Sequence, residues 1–289
     1  MHRGSCAVIT GANTGLGKET ARQLLLKGVR VIMACRNSEK TKFAVQELKM
    51  TKCEDGGAAQ VEHVELNLAS LSSVKQCVDR VLNKGLPINL LINNAGVMAC
   101  PFSLTEDGIE MQFGVNHVGH FLLSKLLLPQ LMHSAPSRVV TVSSHAHYFA
   151  GRINLEDLQS ENSSYQPFQA YAQSKLANVL FSKELGRRMQ GEGVRSYAVH
   201  PGLVSTELGR HMQNKERRSL GRAIISALSK SASQGAHTTV YCALEPKLAQ
   251  NTGCYYSNCR QMITSPLAWG QNAGRKLWRE TEKLLQQQS

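Results

Sequence analysis

Short apolar runs alternate along the chain with longer stretches whose apolar positions recur at helical spacing. The strand-like runs cover residues 6–10, 30–34, 61–65, 89–92, 138–142, 194–199 and, more weakly patterned, 254–256. Helices are predicted near 16–27, 38–51, 71–83, 105–132, 168–190 and 233–244, with a tail helix near 271–286. Alternation of this kind builds βαβ units on a parallel sheet, and right-handed crossovers with a reversal of strand order put helices on both faces. The expectation is a single α/β domain over residues 1–289, a Rossmann-type doubly wound parallel sheet. Two long stretches without clear period, 144–167 and 201–219, follow strand-like runs. Both should therefore wall a substrate cleft at the carboxyl edge of the sheet.

Composition narrows the class. Of 289 residues 42% are hydrophobic and 19% charged, which excludes a disordered or low-complexity chain. The net charge of +12 permits an anionic ligand, membrane surface or nucleic acid. The basic residues are dispersed, and the tightest cluster (Lys215, Arg217, Arg218, Arg222) has no aromatic residue within it, so nucleic acid is set aside. The 8 cysteines show neither a CxxC pair nor zinc-like spacing and read as free thiols in a reducing compartment. With no run of about 20 apolar residues, the chain reads as soluble, intracellular and cytoplasmic. The membrane surface of the endoplasmic reticulum is the alternative.

Three groups of residues carry chemistry. The first strand-like run leads into Thr10-Gly11-Ala12-Asn13-Thr14-Gly15-Leu16-Gly17 and then a helical pattern. Glycines at such a turn let backbone approach a pyrophosphate, and the helix start offers free N–H groups and the positive end of its dipole. At the end of the second run stands Arg36, with Glu39 three residues on; an arginine there accommodates a 2′-phosphate, which favours NADP(H) over NAD(H) unless Arg36 is only a solvated strand end. Tyr171 and Lys175, four apart in a helical pattern, share a face. An ammonium beside the phenol would lower its pKa toward working pH and fit it for proton transfer to a carbonyl oxygen. The Ser143-Ser144 pair at the end of a strand-like run could polarise the same oxygen, although Tyr-xxx-Lys also occurs as a plain surface pair. His145 and His147 form an HxH without a third ligand, so no metal is expected, and His117 and His120 read as helix-face or core histidines. Met98, Phe102, Tyr148, Phe149, Tyr165, Phe168, Leu203 and Leu208 are candidates for an apolar pocket or for ordinary core.

Taken in order, Thr10–Gly17, Asn93-Asn94-Ala95-Gly96, Asn116, Ser144, Tyr171-xxx-Lys175 and Pro201-Gly202 resemble the short-chain dehydrogenase/reductase family over nearly the whole chain. Within it, Ala34-Cys35-Arg36-Asn37, Asn116-His117-Val118-Gly119-His120-Phe121 and Ser174-Lys175-Leu176-Ala177-Asn178 are similar to the retinol dehydrogenase branch. The resemblance implies NADP(H) and a lipophilic alcohol or carbonyl substrate such as a retinoid. It implies Tyr171 as acid/base, Lys175 on the nicotinamide ribose, Ser144 rather than Ser143 at the carbonyl, and Asn116 in a proton relay to the lysine. For the cofactor it implies Gly11, Asn13, Gly15, Leu16, Gly17, Arg36, Asn67 near adenine, Asn94, Pro201, Gly202, Val204 and Thr206. Three departures stand out: Asn67 replaces a frequent aspartate, the serine-to-tyrosine interval is long, and the chain begins at the first strand where retinol-branch relatives usually carry an apolar anchor. The alternative function is a non-catalytic NADP(H)-binding protein acting through partners. Residues 203–222 are expected to form a basic lid able to touch anionic lipid, with a solvated loop as the plainer reading.

Overall fold

The computed structural model describes residues 4–36, 38–151, 153, 165–202 and 230–288. Among them, eight strands form one sheet in the order β3-β2-β1-β4-β5-β6-β7-β8. The strands are β1 Cys6–Thr10, β2 Arg30–Cys35, β3 Val61–Glu65, β4 Leu90–Asn93, β5 Ser137–Val142, β6 Val194–His200, β7 Cys254–Ser257 and β8 Arg260–Met262. All neighbours pair in parallel except β8, which runs antiparallel to β7. Residues 260–262 gave no period in the sequence because all three are exposed on an edge strand.

The inner parallel strands bury both faces, so their side chains divide by alternation, whereas the edge strand β3 is only partly buried. Cys6 and Val8 of β1 join one core layer while Ala7 and Ile9 join the other, and Ile32/Ala34 against Val31/Met33 of β2 repeat the division. The second layer is covered by α1 (Gly15–Leu26), α2 (Glu39–Lys49) and, later in the chain, a helix over Ala232–Leu244. The first is covered by α3 (Leu71–Leu82), α4 (Gly119–His133), α5 (Pro167–Arg188) and a tail helix over Asn272–Gln287. Numbered in chain order, the helix at Ala232–Leu244 is α6 and the tail helix α7.

The predicted helix over 105–132 starts later than its apolar pattern suggested. Gly108, at φ +71, closes a turn in which Thr105 and Ile109 exchange hydrogen bonds, and the Glu110 carboxylate then accepts the N–H groups of Gln112 and Phe113. A single helical turn, Met111–Phe113, passes into a π-helical turn, Gly114–Val118, and then into α4. Such π turns shift the face a helix presents and recur at functional sites; here one holds Asn116.

The tail helix secures α5 from behind. Trp278 lies parallel to the Phe181 ring at 5.9 Å and edge-on to Phe121 at 4.7 Å, with the Arg188 guanidinium 4.4 Å from its centroid. His117 of the π turn meets Thr281 Oγ1 at 3.0 Å. Burying an aromatic of this size contributes about 2–3 kcal/mol, and the helix it steadies is the one that carries Tyr171 and Lys175.

Candidate active site

The strand order reverses between β1 and β4, and the crevice at the carboxyl ends of such strands is where open α/β sheets bind ligands. Gly11, Asn13, Gly15, Leu16, Gly17 and Asn94 meet there. Gly11 adopts φ +63 straight after β1, a conformation glycine reaches without Cβ strain. A Cβ on Gly17 would stand 2.3 Å from the Gly11 carbonyl oxygen and 2.4 Å from Asn94 Nδ2, so only glycine lets α1 begin this close to the turn. Asn94 Nδ2 straps the turn by donating to the Thr10 and Gly11 carbonyls at 2.8 and 3.3 Å, and Asn13 Nδ2 reaches Thr41 Oγ1. At the start of α1, Thr14 makes no side-chain capping bond and the first turn has no acid. Its leading N–H groups and dipole therefore fit a pyrophosphate.

Arg36 stands exposed at the end of β2, its carbonyl accepting from Thr41 Oγ1. Glu39 opens α2 and pairs at 2.6 Å with Lys42 on the surface. Asn67 already holds two partners, donating to Glu106 Oε1 and accepting from the Ala69 N–H, which leaves it one free amide hydrogen. Pro201 and Gly202 follow β6, with the Lys230 side chain packed where a Gly202 Cβ would point. Val204 and Thr206, the lid over 203–222, Leu203 and Leu208 lie outside the described residues, as does most of the stretch between Ala150 and Tyr165.

The second cluster gathers at the ends of β4 and β5 and on α5. Ser144 follows β5 and hydrogen-bonds the Tyr171 hydroxyl, while its Oγ accepts the Ala146 N–H at 3.1 Å. Ser143 points away, donating to the Lys175 carbonyl at 2.7 Å, so geometry separates the two serines. Lys175 Nζ donates to the Val142 carbonyl at 3.1 Å and lies 5.6 Å from the Tyr171 ring centroid. Asn116 is clamped, its Oδ1 accepting from the Val97 N–H and its Nδ2 donating to the Val97 carbonyl and Ser174 Oγ, each at 2.9 Å. Gly96 fits between Asn116 Oδ1 and Lys175 Nζ; its Cβ would be 3.0 and 3.6 Å from them.

The electrostatics correct one expectation. Lys175 does not draw the phenol pKa down here; burial pushes Tyr171 up to about 12, with the Ser144 hydrogen bond opposing. Burial also lowers Lys175 to about 8. At neutral pH the phenol therefore keeps its proton, the state of an acid ready to donate.

Of the aromatic pocket candidates, Phe102, Tyr148, Phe149 and Phe168 are exposed, while Met98 packs on the core. Tyr165 is held by Gln112 and Glu110, residues the sequence reading passed over. Ser174 and Asn178 stood in the motif that carries the resemblance but were given no role. Each lies one turn from Tyr171 or Lys175: Ser174 joins Asn116 to the Tyr171 carbonyl, and Asn178 shares the Val142 carbonyl with Lys175. Helical spacing from Tyr171 was the available signal. All eight cysteines are free thiols. No described helix is long and apolar enough to cross a membrane.

Residues 5–217 match the short chain dehydrogenase family. The chain belongs to that family. It is 44% identical to retinol dehydrogenase 14 of Mus musculus, over 99% of this chain and 86% of that one. It is 46% identical to retinol dehydrogenase 12 of Homo sapiens, over 98% and 86%. A crystal structure of a protein from Mycobacterium paratuberculosis superposes with a TM-score of 0.77 at 37% identity, covering 99% of this chain and 94% of that one. This short chain dehydrogenase is thus an oxidoreductase related to the retinol dehydrogenases, and its family works with NAD(P)(H).

Proposed function

We propose that this short chain dehydrogenase uses NADP(H) to interconvert a lipophilic alcohol and its carbonyl compound, retinoids included. The observation that carries this reading is the buried Tyr171 hydroxyl, protonated at neutral pH and hydrogen-bonded to Ser144, with Lys175 on the same helix face. When bound, the cofactor supplies the hydride. Ser144 Oγ holds the substrate oxygen and Tyr171 gives it a proton. Lys175 uses one of three donors on Val142, and the other two would hold the ribose hydroxyls. Asn116 fixes the wall between loop and lysine. Gly11, Asn13, Gly15, Leu16, Gly17 and Asn94 would cradle the phosphates and adjoining ribose, with Thr206 also near the phosphates; Asn67 would meet adenine, and Pro201, Gly202 and Val204 the nicotinamide end. Arg36 would select the 2′-phosphate, since Glu39, the acid nearest to it in sequence, is engaged by Lys42.

The lipophilic substrate is supported by the relatives' names and by exposed apolar side chains on the segments after β5 and β8. Phe149 is 67% and Ile263 74% exposed, and the Tyr148 hydroxyl donates to the Ile263 carbonyl, linking the segments after β5 and β8. A basic surface over 203–222 would let such a substrate pass from anionic lipid. The test is NADPH oxidation against long-chain aldehydes, retinal and short water-soluble aldehydes. Turnover favouring the lipophilic members is expected; NADPH binding without turnover of any of them would leave a non-catalytic binding protein. Cosedimentation with anionic but not neutral vesicles is expected, and charge-independent behaviour rejects the membrane contact.

A further inference from the structure

A buried hydrogen-bond chain runs from the end of β1 to Asn116, and the proposed chemistry does not use it. Thr10 Oγ1 accepts the backbone N–H groups of Asn94 and Ala95, each at 2.9 Å, and lies 2.8 Å from His120 Nε2. Across the ring, His120 Nδ1 is 3.1 Å from the carbonyl oxygen of Asn116. Thr10, Asn116 and His120 are all removed from solvent.

Donor counting settles the protonation of this ring. A hydroxyl has two acceptor sites and one proton. Two N–H groups fill the acceptor sites of Thr10, so its proton points to Nε2; the alternative acceptor, the Ile92 carbonyl, is 3.5 Å away. The Asn116 carbonyl can only accept, so Nδ1 carries the hydrogen. The opposite tautomer would set a nitrogen lone pair against that carbonyl and crowd three donors onto Thr10. An imidazolium would lose the Thr10 bond, and of the titratable neighbours the Lys175 ammonium from α5 disfavours it, while His117 from the π turn, itself held neutral by burial, brings no anion to favour it. Burial acts in the same direction and lowers His120 to about 4.

We propose that neutral His120, as its Nδ1–H tautomer, is a positioning residue that ties the Asn94–Ala95 backbone to the peptide carbonyl of Asn116. One edge of the imidazole serves the loop beside the cofactor crevice. The other holds the Asn116 carbonyl inside the π turn. The inference rests on the reading of Asn116 as part of the catalytic set.

Two variants separate the edges. An asparagine places its amide nitrogen near the position of Nδ1, and a glutamine places its amide oxygen near that of Nε2. His120→Gln therefore keeps the Thr10 acceptor and loses the donor to Asn116, whereas His120→Asn does the reverse. His120→Gln is expected to lower kcat with a lipophilic aldehyde about tenfold, with NADPH Kd from a fluorescence titration within about twofold of the parent. His120→Asn is expected to raise that Kd about tenfold and to lower kcat less than His120→Gln does. Equal losses from both variants in both measurements, or none, overturn the proposal. A measurement on the unsubstituted protein stands apart from folding defects and from turnover: long-range proton–nitrogen correlation of the histidine rings, with His120 recognised by contacts to the Thr10 methyl. A protonated Nδ1 and a bare Nε2, unchanged from pH 8 to 5.5, are expected. A ring protonated at Nε2, or titrating in that range, overturns it. If the parent turns over no aldehyde, the functional reading fails while the tautomer and the NADPH titrations still judge His120.

Discussion

Along the β1–β3 side of the crevice, the ligand-facing edge is made largely of backbone: a glycine turn, an uncapped helix start and the exposed end of β2. Along the β4–β6 side it is made of side chains that satisfy one another, all of them buried except the half-buried Ser144. Asn116, Ser144, Tyr171, Ser174, Lys175 and Asn178 form linked hydrogen bonds, and the buried histidines His117, His120, His147 and His200 all lie on this later part of the chain. The contrast has a physical source. A phosphate can be met by any correctly placed N–H, so close approach is what matters and side chains are removed. Proton transfer needs particular functional groups at fixed distances, and burying them demands partners.

The largest expected effect would divide the two regions by acid. Burial lowers His117 and His200 to about 3 and His120 to about 4. Each folded-state value lies below the unfolded one, so the unfolded chain binds more protons between the two values and stability falls as pH drops below about 6.5. By pH 5 each of the three histidines removes about 2 kcal/mol. Urea midpoints measured from pH 7 to pH 5 should fall steeply, with amides of α4 and β6 losing hydrogen-exchange protection before those of β1 and β2. A flat midpoint, or uniform loss of protection, would erase the contrast.

Removal of a single proton donor comes next. Tyr171→Phe should lower kcat about 10³-fold, roughly 4 kcal/mol, while NADPH Kd stays within about twofold. Steady-state rates beside a binding titration check this, and substantial residual activity rejects Tyr171 as the acid.

Gly17→Ala sharpens the other side. The added methyl meets the Gly11 carbonyl and the Asn94 amide, so the turn must open. NADPH affinity should fall about 100-fold, about 2.7 kcal/mol, with a smaller change in kcat at saturating cofactor. A larger loss in kcat than in affinity would mean that the two edges do not act separately.

The smallest effect expected is at Arg36. NADPH should bind about tenfold tighter than NADH, a difference of about 1.4 kcal/mol, and Arg36→Ala should remove most of it by weakening NADPH alone. Equal dissociation constants for the two cofactors in the parent protein would end the assignment.

The sequence by itself determined what depends on order and period along the chain. The inner parallel strands could be placed within a residue or so because two-sided burial leaves near-continuous apolar runs, and the edge strand β3 lacks one. The glycine turn was legible because backbone close approach demands glycine at fixed intervals, and the Tyr171–Lys175 face because helical spacing is fixed. Tertiary structure alone decided what depends on neighbours distant in sequence. The resemblance already pointed to Ser144 rather than Ser143, but the physical reason is tertiary: the path of the chain leaving β5 turns one hydroxyl to the phenol and the other to the Lys175 carbonyl. The π turn under Asn116, the late start of the helical rod at Glu110 and the joining of Thr10 to His120 across 110 residues carry no periodic signature. Nor could the rise of Tyr171 toward 12 be read from a lysine four residues away, because burial by the assembled layers outweighs that neighbour.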